Sequence, residues 1–425
     1  MAKKFQHVRG MPDILPEQQQ AHQYLTDTFR HLAGAAGFEP IELPIMEEKE
    51  VFVRSVGEGT DVVDKELYAF TDRSDKEVAL RPEPTAGMVR AYIEHGMASL
   101  PQPVRLMFAG PVFRYDRPQA GRQRQFNQLG VEVIGDGSPS IEAHIMMLAM
   151  RFYRMIGLRN VTLQLNSLGD QQDRKDYLKA LTAYLKDYES ELPEVDRKRL
   201  KSNPLRVLDS KERATKKIVA QAPQILNYLS ESSKQHFEAV LEYLDAMQIN
   251  YELNPLLVRG LDYYTHTVFE FYGEREGSQS SLGAGGRYDN LVQQLGGSKP
   301  TPAAGFGIGL ERVLLELKEE GVELPQEHAV KVYVASLGEP ARIGAFALIE
   351  QLLDSGVGAV GAVDRDGIGP QLERANKLNV PYAIIIGQKE IQEETVILRD
   401  MRSGAQEMIP LGSVVKELEK RKVGL

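Results

Sequence analysis

The chain has 425 residues, 42% hydrophobic and 26% charged, with no cysteine and a formal net charge of -9. That length exceeds what one core fills, so two or three domains are expected; the mixed composition excludes a disordered or low-complexity chain, and the acidic balance excludes a protein that coats nucleic acid, though not local basic patches. Without cysteine there is no disulfide, thiolate metal site or cysteine nucleophile, and zinc chemistry is not expected. The N-terminal MAKKFQHVRG lacks an apolar signal core, and runs such as YAIIIG are too short for a bilayer, so a cytosolic protein is expected, with no membrane partner.

Residues 17–36 carry Tyr24, Leu25, Phe29, Leu32 and Ala36 at helical spacing and Gly37 stops the pattern. FEPIELPIME then predicts a strand with Pro44 at its end, a position that suits a sheet edge or a subunit boundary because proline cannot donate to a ladder. In LRPEPTAG, residues 80–87, two prolines hold Glu83 and Thr85 is the predicted N-cap of a helix; a rigid carboxylate there suits an ammonium group. Residues 104–114 and 125–134 predict a long antiparallel hairpin around the polar loop YDRPQAGRQR. Arg114 ends its first strand and Arg117, Arg122 and Arg124 follow, a positive field suited to phosphate. On the second strand Gln128, Gly130 and Glu132 share one face, Leu129, Val131 and Val133 the other.

From about 171 to 250 the pattern turns helical and charged, as if inserted into a sheet domain. Within it, Arg197 to Lys217 holds nine Lys or Arg against Asp209 and Glu212, a net +7. Strand character resumes at NPLLVRGLDYY, and RGLDYYTHTVFEF sets Arg259, Gly260, Tyr263 and Tyr264 ahead of an alternation of His266, Val268 and Glu270 with Thr267, Phe269 and Phe271. In AAGFGIGLERVLLEL three alternate glycines, Gly305, Gly307 and Gly309, precede a helix with Leu310, Val313, Leu314 and Leu317 on one face. A dinucleotide fingerprint would need glycine where Leu310 stands, and no GxxxxGK[ST] occurs. What remains is a glycine strand feeding a helix N-terminus, where close backbone approach and the helix dipole favour an anion or a flat ring, with the charge of Arg312 in the first turn. The polar stretch 318–328 predicts a linker, and AVKVYVA, AVGAVDR and YAIIIG, separated by helical stretches, predict a β-α-β-α-β domain.

Alone, each of these features has an ordinary explanation in a capped helix, a solvated hairpin or a packed turn. Their order is more specific. Helix, strand and Pro44, then FRYDRPQAGRQRQFNQLGVE, then GFGIGLERV resemble the three signature motifs of class II aminoacyl-tRNA synthetases. RGLDYYTHTVFEF and SLGAGGRYDNL look like the two stretches that mark the histidyl-tRNA synthetases within that class, and LRPEPT is similar to their amino-group site.

The resemblance spans essentially the whole chain and implies an α+β protein. Residues 1–325 would form a class II catalytic domain, a six-stranded antiparallel sheet flanked by helices with the helical insertion at about 171–250, and residues 329–425 an α/β anticodon-binding domain. It further implies a cytoplasmic homodimer joined through the first motif, activating L-histidine with ATP and Mg²⁺ for transfer to tRNA(His), with the insertion over the acceptor arm and the basic run facing RNA. Arg259 and Arg114 would hold the α-phosphate from two sides, Arg259 also reaching the substrate carboxylate, and Arg312 would support the ATP. Glu83, assigned to the nucleotide as well, would take the α-amino group with Thr85, and Gln128 the carboxylate or amino end. Glu132 and Tyr264 would hold the imidazole, with Tyr263 and Tyr288 in the same pocket; the resemblance specifies no metal ligands. Two alternatives share the fold: a catalytically silent regulatory subunit of ATP phosphoribosyltransferase, which has no need of Arg259, the arginine cluster and the C-terminal domain together, and a synthetase for proline, threonine or glycine, for which a carboxylate-and-phenol pocket is a poor match.

Overall fold

The computed structural model describes residues 4–57, 60–119, 121–274, 281–325, 330–361 and 367–423. The chain divides into two compact units, Met1–Pro325 and Gln326–Leu425. In the first, the strands in chain order are β1 (Glu39–Pro40), β2 (Met46–Glu48), β3 (Ala69–Thr71), β4 (Glu77–Leu80), β5 (Val104–Phe113), β6 (Gln125–Ile134), β7 (Thr162–Ser167), β8 (Tyr251–Leu253), β9 (Thr265–Tyr272), β10 (Ser281–Arg287) and β11 (Ala303–Gly309). The main sheet runs β1-β5-β6-β11-β10-β9-β7-β8. Its central six strands, β5 to β7 in that order, are antiparallel throughout, and the short β1 and β8 add a parallel rung at each edge.

Alternation along β6 decides which face is which. Leu129, Val131 and Val133 bury into one core with Leu25 and Phe29 of the helix Pro16–Ala35 and Met146 and Phe152 of the helix Pro139–Met155. The opposite face, bearing Gln128, Gly130 and Glu132, opposes Gly309, Gly307 and Gly305 of β11, so a strip of glycine backbone leaves room there.

FEPIELPIME is not one strand. Pro40 and Pro44 cannot donate to a ladder, and the segment splits into β1, paired with β5, and β2, in a separate three-stranded sheet of order β2-β4-β3. Between them the carbonyls of Leu43 and Pro44 accept from Arg81 Nη1 at 2.6 and 3.2 Å, while Arg81 Nε donates to Pro111 of β5 at 2.8 Å. Nor does strand character resume at NPLLVRGLDYY. Residues 259–264 form a turn held by the Asp262 N–H on the Val56 carbonyl at 3.1 Å, and β9 starts only at Thr265. His266 has φ +47° at a register shift between β9 and β10, which interrupts the predicted alternation there; beyond it both faces are buried, Val268 on one side and Phe269 and Phe271 in the other core.

The insertion is helical, with Gln171–Asp187, Glu194–Ser202, Leu205–Leu208, Arg213–Val219 and Glu231–Ala246 between β7 and β8. Tyr177, Leu181, Leu185, Leu200 and Ile225 bury within it, and Asp196, fully buried, accepts hydroxyls from Ser210 and Thr215 at 2.5 and 2.6 Å.

The second unit holds β12 (Val332–Ser336), β13 (Ala359–Gly361), β14 (Tyr382–Ile386), β15 (Thr395–Asp400) and β16 (Gln406–Pro410) in the order β13-β12-β14-β15-β16. The three predicted strands are parallel neighbours, and β15 and β16 extend them antiparallel, a meander absent from the β-α-β-α-β expectation. Residues 362–365 of the predicted AVGAVDR strand, 326–328 of the linker and residue 329 lie outside the described residues. Among the described residues no helix is long and apolar enough to cross a membrane.

Candidate active site

One cavity opens on the glycine-strip face of the main sheet. Glu83, Thr85, Arg114, Gln128 and Arg259 line it, and so do Tyr263, Tyr264 and Arg312. Glu132 and Tyr288 do not line it; they stand directly behind. Of the arginine-rich loop only Arg114 and Arg122 line the cavity. Arg124 stacks on Tyr115 at 3.8 Å and donates to the Asp116 carbonyl, and Arg117 is exposed, so the four do not converge as a cluster.

One end of the cavity is built by the turn before the helix Thr85–Glu94. Thr85 is not the N-cap. Glu83 takes that work: its carboxylate accepts the N–H groups of Thr85 and Ala86 at 2.7 and 2.9 Å, because the two prolines turn it back over the helix start. The Thr85 hydroxyl is thereby released to donate to Glu132 Oε1 at 2.6 Å, and Tyr288 donates to the other oxygen. A Cβ at Gly305 would overlap that same carboxylate. Burial pushes Glu132 up to about 8, its two hydroxyl donors opposing and the charge of Glu83 adding to the rise; burial likewise raises Glu83 against its backbone donors. Tyr263 packs on Tyr264 and Tyr288 at centroid distances of 4.6 and 5.5 Å.

The other end is cationic. Arg259 pairs with Glu270 at 3.1 Å, and although burial is the largest influence and opposes its charge, Glu270 together with Tyr264, Tyr263 and Tyr272 holds the guanidinium above its ordinary value. Arg114 Nε donates to the Pro82 carbonyl at 2.8 Å, with its guanidinium 5.7 Å from the Phe126 ring. Arg312 donates to the Ser281 and Gly121 carbonyls at 2.8 and 3.2 Å; burial, then the neighbouring Arg122 and Arg114, depress it to about 10. Gln128 Oε1, Arg122 Nε and Arg259 Nε are buried without a protein partner, so the cavity retains both an acceptor and donors for a ligand.

Sequence reasoning missed Glu66, Glu270 and Glu311 in this lining. Glu270 carried a signal, an acid within an apolar strand. Glu311 stood beside Arg312 in the same helical turn, and it holds the Asn127 N–H and side-chain amide at 3.0 and 2.9 Å, which fixes β6 to the helix Leu310–Glu319. Glu66, in KELYAF, carried none.

The family model described as Histidyl-tRNA synthetase matches residues 10–313, and that described as Anticodon binding domain matches residues 331–421. The histidine–tRNA ligase of Pelotomaculum thermopropionicum is 44% identical over 420 residues, 98% of each chain, and that of a Synechococcus strain 45% identical over 413 residues, 97% of this chain and 98% of the other. The crystal structure of apo S. aureus histidyl-tRNA synthetase matches with a TM-score of 0.83 at 34% identity, over 97% of this chain and 99% of that one. Likeness of this degree extends through the strands that carry the cavity, and the chain belongs to the histidyl-tRNA synthetase family.

Proposed function

We propose that the protein is a histidine–tRNA ligase that activates L-histidine with ATP, releasing pyrophosphate, and transfers the histidyl group to the 3′ end of tRNA(His). The observation that carries this is one cavity lined both by the Glu83 carboxylate and the Tyr263 and Tyr264 phenols, with Glu132 behind Thr85, and by the cations Arg114, Arg122, Arg259 and Arg312. An amino acid with a polar ring fits the first and a triphosphate the second.

In this assignment the histidine carboxylate attacks the α-phosphorus and pyrophosphate leaves, so negative charge builds between the nucleophile and the phosphate. Arg259 and Arg114 flank that point; the ion pair with Glu270 keeps Arg259 directed, and little reorganisation is needed as the charge develops. Arg312 holds the rest of the triphosphate beside Arg114 and Arg122. Glu83 takes the α-ammonium, which favours its ionised form, while Thr85 orients Glu132. Gln128 accepts through its unpartnered Oε1. Tyr264 meets the imidazole, and a ring nitrogen that reaches Glu132 displaces the hydroxyl of Thr85 or Tyr288.

Among the described residues no three His, Asp or Glu are set to hold a metal ion, and Glu311 is occupied by Asn127. Mg²⁺ therefore fits here as an ion that comes with the ATP phosphates. Residues 1–325 are assigned to catalysis, with the insertion at about 171–250, and 329–425 to anticodon binding. The exposed Ile45 and Met46 beside Pro44 support a homodimer through that segment, and a cytoplasmic location suits the task. Arg199 and Arg206 of the basic run turn inward to Asp61 at 3.6 and 3.4 Å, so its RNA-facing charge rests on exposed members such as Arg197, Lys211, Arg213, Lys216 and Lys217.

Amino-acid-dependent ATP–pyrophosphate exchange across the standard amino acids tests the assignment. Exchange with histidine alone is expected; exchange with another amino acid would reassign the substrate, and none at all would favour the silent regulatory subunit.

A further inference from the structure

The turn that delivers Arg259, Tyr263 and Tyr264 to the cavity has one member directed elsewhere. Asp262 does not line the cavity. Its carboxylate accepts the Asn203 amide at 3.0 and 3.2 Å and pairs with Arg174 at 3.6 Å, while Arg174 also donates to the Asp262 carbonyl at 3.1 Å. Arg174 lies in the first helix of the insertion, Gln171–Asp187, and Asn203 caps the C-terminus of the second, Glu194–Ser202. Two separate insertion elements thus grip one residue of the catalytic turn. On its other side Asp262 is fixed to the catalytic body: its N–H bonds the Val56 carbonyl, and its carboxylate lies so close to Gly57, at φ +95°, that an added Cβ would stand 2.9 Å from Oδ2. No chain continuity imposes this joint, since Asp262 is 88 residues from Arg174 and 59 from Asn203.

We propose that Asp262 is a positioning residue for histidine activation, through which the seating of the helical insertion sets Arg259 and the phenols of Tyr263 and Tyr264. The inference rests on the activity proposed above. The turn between Arg259 and Tyr264 forms no strand ladder, so its geometry depends on contacts such as these, and reacting groups displaced by about 1 Å can lose on the order of a hundredfold in rate. Asp61 gives the joint a parallel strut: it takes Arg199 and Arg206 of the insertion and begins the short turn that ends at Glu66, on the cavity wall.

The test substitutes the insertion side, whose residues touch no proposed substrate atom. Arg174→Met and Asn203→Ala should each lower kcat/KM for histidine in pyrophosphate exchange by roughly tenfold or more. KM for ATP, held by Arg114 and Arg312, should stay within about twofold. Arg174→Lys should recover part of the loss, and Arg174→Met combined with Asp262→Asn should be no worse than the poorer single variant. Arg174 is 25% exposed and the helix core of Tyr177, Leu181 and Leu185 is untouched, so circular dichroism should show a folded protein. Wild-type kinetics in both insertion-side variants, equal rises in both KM values, or additive losses in the double variant would each overturn the role of Asp262. Absence of histidine-dependent exchange in the unsubstituted protein would instead overturn the activity.

Discussion

The two ends of the cavity are built by opposite rules. At the end assigned to the amino acid Thr85 on the wall and Tyr288 behind it both donate to the buried Glu132, and burial biases Glu132 toward its neutral form. At the end assigned to the nucleotide Arg114, Arg122, Arg259 and Arg312 gather on one cavity, and although Arg259 and Arg122 pair with Glu270 and Asp116 at 3.1 and 2.9 Å, each keeps a buried Nε without a protein partner. A neutral network discriminates by what it leaves unpaired when the wrong ligand enters, whereas a group of cations with free donors attracts any polyphosphate and gains most where charge peaks. Specificity and rate are therefore separable here by substitution.

The largest effect should come from the cationic end. Arg259→Ala should cut histidine-dependent exchange by roughly a hundredfold or more with the fold retained, because the lost interaction strengthens in the transition state. Normal turnover in a folded variant would return Arg259 to the role of a surface arginine with an acidic neighbour.

Gly305→Ala tests the opposite end by crowding. The new methyl meets the Glu132 carboxylate, held by the Thr85 and Tyr288 hydroxyls, and the Val131 carbonyl, held by sheet pairing, so neither can give cheaply. Loss of roughly 1–3 kcal/mol of stability is expected, with histidine use impaired more than ATP binding. Unchanged melting and unchanged histidine kinetics would mean that the strip between β6 and β11 is looser than its geometry.

The legible parts of the molecule were those where period or punctuation had a local cause. The hairpin of residues 104–134 followed from alternation, and Gln128 and Glu132 fell on the predicted shared face because pleating leaves no other choice. The signal failed where a side chain replaced a backbone partner. Thr85 looked like an N-cap by type, but Glu83 supplies the acceptor from outside the helix, an arrangement that depends on two prolines folding back in space. FEPIELPIME read as one strand because its apolar residues continue past the prolines; Arg81, far along the chain, takes the carbonyls that a ladder would have used. Glu66 reaches the cavity by tertiary placement alone, with no period or motif to announce it.

A smaller effect separates binding from catalysis. Glu132→Gln keeps the size and one acceptor oxygen but sets an amide N–H₂ against the Tyr288 hydroxyl or the ring. Histidine kcat/KM should fall by roughly tenfold, the scale of one hydrogen bond, while KM for ATP holds. Equal losses for both substrates would place Glu132 outside the amino-acid end.

The smallest effect is thermodynamic and concerns the same carboxyl without any substrate. Glu132 titrates at about 8 in the folded protein against 4.5 for an ordinary glutamate, with burial the main cause. Between those values the folded state keeps a proton that the unfolded chain has released, so the stabilisation is fully present below about pH 4.5 and is lost as pH rises through about 8. Glu83, raised for the same reason, contributes with the same sign; Glu142 contributes with the opposite sign, since Arg287 and His236 outweigh burial and hold it ionised. Comparing the protein with Glu132→Gln separates the contribution of Glu132 from this background. Thermal melts at pH 6, 7, 8 and 9 should show the unsubstituted protein losing more melting temperature across that range than the variant, by on the order of 2 °C or more. Parallel curves would show that Glu132 ionises at an ordinary pH despite its burial, and the contrast between a neutral end and a charged end would then rest on the arginines alone.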